Sequence, residues 1–242
     1  MRYLATLSYD GTKYAGWQVQ PNDNSIEEEI EKVLSKVLNT PTKIFASGRT
    51  DAGVHATGQT FHFDSKEIID LGKFTYSVNC LLPDDIHVSE IKKVPNYFHA
   101  RYNVKEKTYS YYINTGAYNV FQKDHVYQLL RKLDLKKIKE GLGYFVGKHY
   151  FGNFTTKDED EGKYIRTIYY ADLEEFGDVI KITFVGDGFM RYMVRMMVGI
   201  LIEIGLGKVE PIEIQRLLMS PHRKVVSYKA PATGLYLEKV QY

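Results

Sequence analysis

SIEEEIEKVLSKVLNTPTKIFASGRTDAGVHATGQTFHF, residues 25–63, carries the alternation of patterns that sets the fold class. Its first part places Ile26, Ile30, Val33, Leu34, Val37 and Leu38 on one stripe at helical spacing. Ser25 and Glu28 have capping-box spacing, and Pro41 stops the run because proline has no amide hydrogen to continue it. A glycine-rich loop follows, and residues 60–63 begin a strand. Outward from this block, residues 3–9 read as a strand ending in a turn at Asp10-Gly11, 66–82 as a helix and 86–94 as a strand. The rhythm returns further on. Residues 108–114 form a tyrosine-rich strand, 135–145 a helix, and 168–176 with 179–185 a hairpin turning at Gly177-Asp178. Residues 189–205 are apolar nearly all round, which predicts a buried helix, and 235–242 close as a strand. Strand–helix–strand units occurring twice, without regular βαβ alternation, predict an α+β fold of two similar halves, residues 1–104 and 105–242.

Composition agrees with a folded chain. Hydrophobic residues make up 44% and charged residues 26% of 242, so disorder is not the expectation. The most apolar stretch, 189–206, contains Arg191, Arg195 and Glu203, which suits a buried helix better than a membrane span. The first residues lack the apolar run of a signal peptide, and the single cysteine, Cys80, has no internal partner. A cytoplasmic protein without membrane contact is expected. Net charge is +2, unevenly spread. Residues 101–150 hold ten Lys/Arg against four Asp/Glu, and residues 153–178 hold three against eight, with Asp158, Glu159, Asp160 and Glu161 adjacent. The basic stretch fits either a phosphate-backbone partner or a solvated helix face.

The densest chemistry lies at 47–56, where Arg49, Thr50, Asp51 and His55 stand among Gly48 and Gly53. Asp-Ala-Gly by itself is a turn; the flanking glycines also let backbone approach a ligand closely. Arg195 falls inside the most apolar helix pattern, and the only acid of that helix, Glu203, is eight positions away. Its charge therefore needs Asp51 or another distant carboxylate, or must reach the helix edge. Aromatics alternate with cations at 98–102 and 107–112, a pattern that serves base stacking or plain strand packing. Histidines and Cys80 show no zinc-ligand spacing. Residues 141–149 lack the glycine spacing of a phosphate loop and place His149 where Ser or Thr is required.

GRTDAGVHATGQ at 48–59 resembles the signature of the tRNA pseudouridine synthase A family. The likeness extends to DGTKYAGWQ at 10–18, FHARY at 98–102, KTYSY at 107–111, FMRYMVRMMVG at 189–199 and APATGLYLEKV at 230–240. It implies two α+β halves related by a pseudo-twofold, one extended and mainly antiparallel sheet, and an active site in a central cleft. It also implies a homodimer that converts uridines 38, 39 and 40 of the tRNA anticodon stem-loop to pseudouridine, with no cofactor and no metal. On this resemblance Asp51 is the catalytic aspartate, Arg49 displaces the base, Tyr109 stacks on the uracil, and Arg195 pairs with Asp51. His55 and Arg101 complete the expected substrate-binding set. Two other readings compete: an RNA-binding module without catalysis, although the RNP1 pattern of such modules is absent from this sequence, and a nucleoside hydrolase, which would release free uracil.

Overall fold

A computed structural model of the chain describes residues 1–156, 164–220 and 223–242; the acidic run Asp158 to Glu161 lies outside them. Along the first part run β1 (Arg2–Tyr9), α1 (Ile26–Val37), β2 (Ile44–Ala46), β3 (His55–Asp64), α2 (Leu71–Asn79) and β4 (Ile86–Val94). Then come β5 (Glu106–Asn114), β6 (Tyr127–Gln128), α3 (Leu135–Phe145), β7 (Gly147–Tyr150), β8 (Ile165–Phe176) and β9 (Val179–Gly186). The chain ends with α4 (Met193–Gly205), α5 (Ile212–Met219) and β10 (Leu235–Gln241). These elements form two units, Met1–Lys105 with Tyr236–Tyr242, and Glu106–Leu235. Both are α+β, as the sequence rhythm predicts. The expected second half ran to the C-terminus, whereas the contacts of Tyr236–Tyr242 lie with the first unit. The cause is backbone pairing: Tyr236 and Leu237 lie parallel to His55 and Ala56 at the start of β3.

In the first unit β1 lies between β3 and β4, antiparallel to both, and β2 pairs antiparallel with the far end of β3. Helix α1 begins at Ser25, whose hydroxyl accepts the Glu28 amide at 3.4 Å. Glu27, Glu28 and Glu29 in its first turn face the positive end of the helix dipole. Its buried stripe is Ile26, Ile30, Val33 and Leu34. Phe61 and Phe63, two apart on β3, share a sheet face. Tyr3 stacks on Phe63 at 5.6 Å, Phe74 of α2 on Phe63 at 5.9 Å, and Trp17 lies 6.5 Å from Phe61. His62 points the other way, stacks on Phe45 at 5.0 Å, and accepts the Ala100 amide at Nδ1.

The second unit pairs β5 with β9, β9 with β8 and β8 with β7, all antiparallel, and adds the short parallel strand β6 beside β5. Every residue of α4 except Arg195 and Glu203 is buried. A ring cluster of Phe145, Phe151, Phe154 and Phe184 fills the core beside α3, with centroids 5.3 to 6.3 Å from Phe145. Gly199 of α4 is needed for packing. A Cβ there would lie 2.7 Å from the Tyr228 carbonyl and 2.9 Å from the Lys229 nitrogen, so residues 228–230 cross the helix backbone to backbone.

The largest differences from the expected element limits fall in α2, α4 and β3. Helix α2 spans only Leu71–Asn79 because Asp70 caps it, accepting the Lys73 amide at 3.2 Å. Helix α4 starts at Met193, four residues late, because Tyr192 adopts φ +62, which an α-helix cannot propagate. Strand β3 starts at His55, held there by β10. Helix α5 and the short strands β2, β6 and β7 carry no pattern that was read from the sequence.

The His62 imidazole is held down at about 4, against an ordinary 6.5, chiefly by burial and then by the positive fields of Arg2 and His99. Unfolded His62 takes up a proton near pH 6.5 and the folded residue does so only near 4, so this residue costs stability progressively as pH falls through that window. Thermal unfolding from pH 7 down to 4.5 should show His62→Asn losing less melting temperature than wild type; equal losses would remove His62 as the cause.

Candidate active site

The 47–55 loop is fixed at each end before Asp51 is reached. Buried Gln59 clamps the entry, accepting the Ser47 hydroxyl at 2.6 Å and donating to the Gly48 carbonyl at 3.0 Å. Thr50 is held twice. Its hydroxyl bonds the buried Tyr9 hydroxyl at 2.8 Å, and its carbonyl accepts the Trp17 amide at 3.1 Å. Burial raises the Tyr9 phenol far above its ordinary value, so the phenol keeps its proton. Beyond Asp51 the turn closes with Val54 N–H donating to the Asp51 carbonyl at 3.2 Å and Gly53 N–H to the Tyr14 carbonyl at 3.4 Å.

Gly16 makes this approach possible. It has φ +106, and a Cβ there would lie 2.8 Å from the Thr50 carbonyl oxygen and 3.1 Å from the Ala52 nitrogen. Two backbone segments thus touch directly across the DGTKYAGWQ and GRTDAGVHATGQ motifs. Asp51 emerges half-buried from a backbone gripped on both sides. Arg49, two residues earlier, is exposed and forms no ion pair among the described residues.

His55 is 1% exposed and stacks on Tyr236 at 4.7 Å. Its Nδ1 lies 3.1 Å from both the Gly11 amide and an Asp10 carboxylate oxygen. The amide requires a lone pair on that nitrogen and the carboxylate requires a proton, so the two bonds exclude each other. Arg101 is exposed, and its backbone amide donates to His99 Nδ1 at 3.1 Å. His99 in turn carries Tyr102 at 4.3 Å, with Tyr102 77% exposed.

In the second unit, Tyr109 lies on β5 opposite Phe184, 8% exposed, with Phe189 edge-on at 5.1 Å. Tyr111 is fully buried and donates its hydroxyl to the Pro231 carbonyl at 2.8 Å, so packing explains this tyrosine and base stacking does not. Arg195 differs from the deep burial expected for it. Because α4 begins only at Met193, Arg195 lies in the first turn and is half-buried. Its Nε donates to the Ala230 carbonyl at 2.8 Å, while the Ala230 amide donates to the Arg195 carbonyl at 2.9 Å. That reciprocal pair sets the direction of the guanidinium. Among the basic residues of 132–139, Lys137 is tied to Glu210 at 3.0 Å, while Lys132, Lys136 and Lys139 are exposed.

Tyr9, Gly16, Trp17 and Gln59 were not singled out from the sequence, although all four hold the loop. Gly16 had a usable signal, since it lies between aromatics in a motif that otherwise lacks a reason for glycine.

A single clamped carboxylate with a free arginine two residues upstream suits chemistry on a nucleotide, and family comparison gives the class. The family model described as tRNA pseudouridine synthase matches residues 5–103 and 142–242, and the chain belongs to that family. Its similar relatives are of the A type. The tRNA pseudouridine synthase A of Exiguobacterium sp. is 44% identical over 242 residues, covering 100% of this chain and 98% of the relative. That of Bacillus licheniformis is 42% identical, covering 100% and 99%, and tRNA pseudouridine synthase A 1 of Bacillus cereus is 39% identical, covering 100% and 98%.

Gly16→Ala should displace Thr50 and Asp51 while the rest of the unit folds. Left-handed backbone costs an alanine about 1–2 kcal/mol, and a displacement of about 1 Å at a reacting group costs on the order of a hundredfold in rate. The expected result is a loss of a few degrees in melting temperature with a far larger loss in kcat; a variant of full activity would show that the contact does not position Asp51.

Proposed function

We propose that this chain isomerises uridine to pseudouridine in tRNA with Asp51 as the nucleophile. The observation that carries this reading is the clamped loop, which presents one carboxylate from a backbone held by Thr50, Gly16 and the Val54 turn. The reaction breaks N1–C1′, turns the uracil within the site, and joins C5 to C1′; the proton leaves C5 and N1 gains one. Substrate and product are isomers, so the balance requires no donor and no redox step. The carboxylate of Asp51 attacks covalently or stabilises the positive charge that develops as the glycosidic bond opens.

The other roles follow the family resemblance. The target base must leave its stack, at a cost of a few kcal/mol. Arg49, exposed and without an ion pair among the described residues, fills the space it leaves. Tyr109 holds the detached ring, and its hydroxyl or a water takes the C5 proton. Arg195, aimed by Ala230, acts as countercharge to Asp51 and keeps the carboxylate ionised. His55 is buried, so we assign it to positioning the loop rather than to touching RNA. Arg101 and the exposed Tyr102 contact RNA outside the reacting nucleotide. The targets we propose are uridines 38, 39 and 40 of the anticodon arm. Retention of the base separates this activity from nucleoside hydrolysis.

Incubating anticodon-arm RNA with the protein and mapping pseudouridine chemically tests the reading. Asp51→Asn should form none while binding the RNA within about tenfold of wild type, or ~1.4 kcal/mol. Arg195→Lys should recover little of what Arg195→Ala loses, because an ammonium cannot reproduce a planar two-point contact. Residual turnover by Asp51→Asn, or release of free uracil by wild type, would overturn the assignment.

We also propose that the working unit is a homodimer in which one tRNA touches both copies. A net charge of +2 binds a polyanion weakly unless basic patches of two chains act together. Light scattering at assay concentration should give twice the chain mass. Co-refolded Asp51→Ala and Lys132→Glu/Lys136→Glu proteins should regain activity that each lacks alone; a monomer in solution would refute the dimer.

A further inference from the structure

Tyr192 immediately precedes α4, and three cations surround its ring. The Arg191 guanidinium carbon lies 4.8 Å from the ring centroid, that of Arg195 5.4 Å, and the Lys229 ammonium 4.4 Å. Arg191 also donates to the Tyr192 hydroxyl at 2.9 Å. Each charge is within 5.4 Å of one point. No two can therefore be more than about 10 Å apart, close to the screening length at physiological ionic strength, so they repel one another. Among the described residues neither Arg191 nor Lys229 has a carboxylate partner.

The gathering is built into the backbone. Gly199 lets residues 228–229 lie directly on α4, which brings Lys229 to the ring. The reciprocal bonds between Ala230 and Arg195 hold the same strap one turn earlier. The Arg191 carbonyl accepts the Thr155 hydroxyl at 2.9 Å, and Tyr192 itself holds the unfavourable φ of +62. A tyrosine with cations over its ring does not offer that ring to a nucleobase. Its attraction for cations serves to hold like charges together.

We propose that Arg191 and Lys229, collected by Tyr192 beside Arg195, form a subsite for a backbone phosphodiester of the RNA substrate. The inference rests on the proposed RNA activity and adds residues the resemblance does not assign. A phosphodiester supplies the negative charge that Arg191 and Lys229 lack among the described residues, and it accepts charge-assisted hydrogen bonds from both a guanidinium and an ammonium. Such contacts read no sequence. They set the register of the strand relative to Arg195.

The test is fluorescence anisotropy of an anticodon-arm hairpin RNA, with every protein in the inactive Asp51→Asn background. Potassium chloride runs from about 50 to about 300 mM, because each phosphate contact contributes about 0.7–0.9 to the slope of log affinity against log salt. Arg191→Gln/Lys229→Gln should bind about tenfold more weakly at the lowest salt and have a slope shallower by about one. Both side chains are exposed, and removing repelling charges should leave the melting temperature unchanged or raise it. The exchanged pair Arg191→Lys/Lys229→Arg should keep most of the slope. An unchanged slope in the glutamine pair overturns the proposal, and so does an exchanged pair that falls as far as the glutamine pair, since that would mark a packing role. Pseudouridine mapping with the wild-type protein is read separately. Its failure would undo the assignment of the reaction without altering the salt slope.

Discussion

The contact between Gly16 and Thr50 is the constraint on which the candidate site depends. A Cβ at Gly16 would stand 2.8 Å from the Thr50 carbonyl oxygen, and the next residue, Trp17, donates its amide to that oxygen. Backbone touching backbone leaves no side-chain freedom through which the loop could drift. Tyr9 completes the grip from β1, its phenol held protonated by burial against the Thr50 hydroxyl. Asp51 inherits this rigidity. The nucleophilic role proposed for it would need that rigidity, since the cost of holding a group in position is then met by folding and not during the reaction.

The second unit uses the same device for a cation. Gly199 admits the backbone of residues 228–229 onto α4, and Arg195 and Ala230 exchange hydrogen bonds across that contact. The left-handed turn at Tyr192 decides where α4 begins and so puts Arg195 in its first turn, half-buried instead of deep in the apolar stretch. That placement comes at the price of one strained residue.

Charge is arranged locally rather than overall. The chain carries only +2, yet Arg49 and Arg101 are exposed and Arg191 and Lys229 share one tyrosine ring. Lys137, by contrast, is neutralised by Glu210, so a count of lysines along α3 overstates the field that a polyanion would meet. For nucleic acid binding the arrangement of cations matters more than their sum, because each phosphate contact acts over a short screened distance.

By itself the sequence determined the two α+β units, the capped helix at Ser25, the β8–β9 hairpin and the glycine-framed Asp51 loop. These are encoded by neighbours: periodicity, caps and turns act over a few residues and leave a pattern there. The motif resemblance to the pseudouridine synthases was likewise legible, and the family match agrees with it. Only the tertiary structure decided that β10 returns to β3, that β3 starts at His55, that His55 is buried under Tyr236, and that Lys229 reaches Tyr192. Each of these joins residues far apart in the chain, and no local pattern records a partner that is distant in sequence. The late start of α4 belongs with them. A tyrosine has no intrinsic preference for φ +62, so that conformation was imposed by packing and could not be read from the residue.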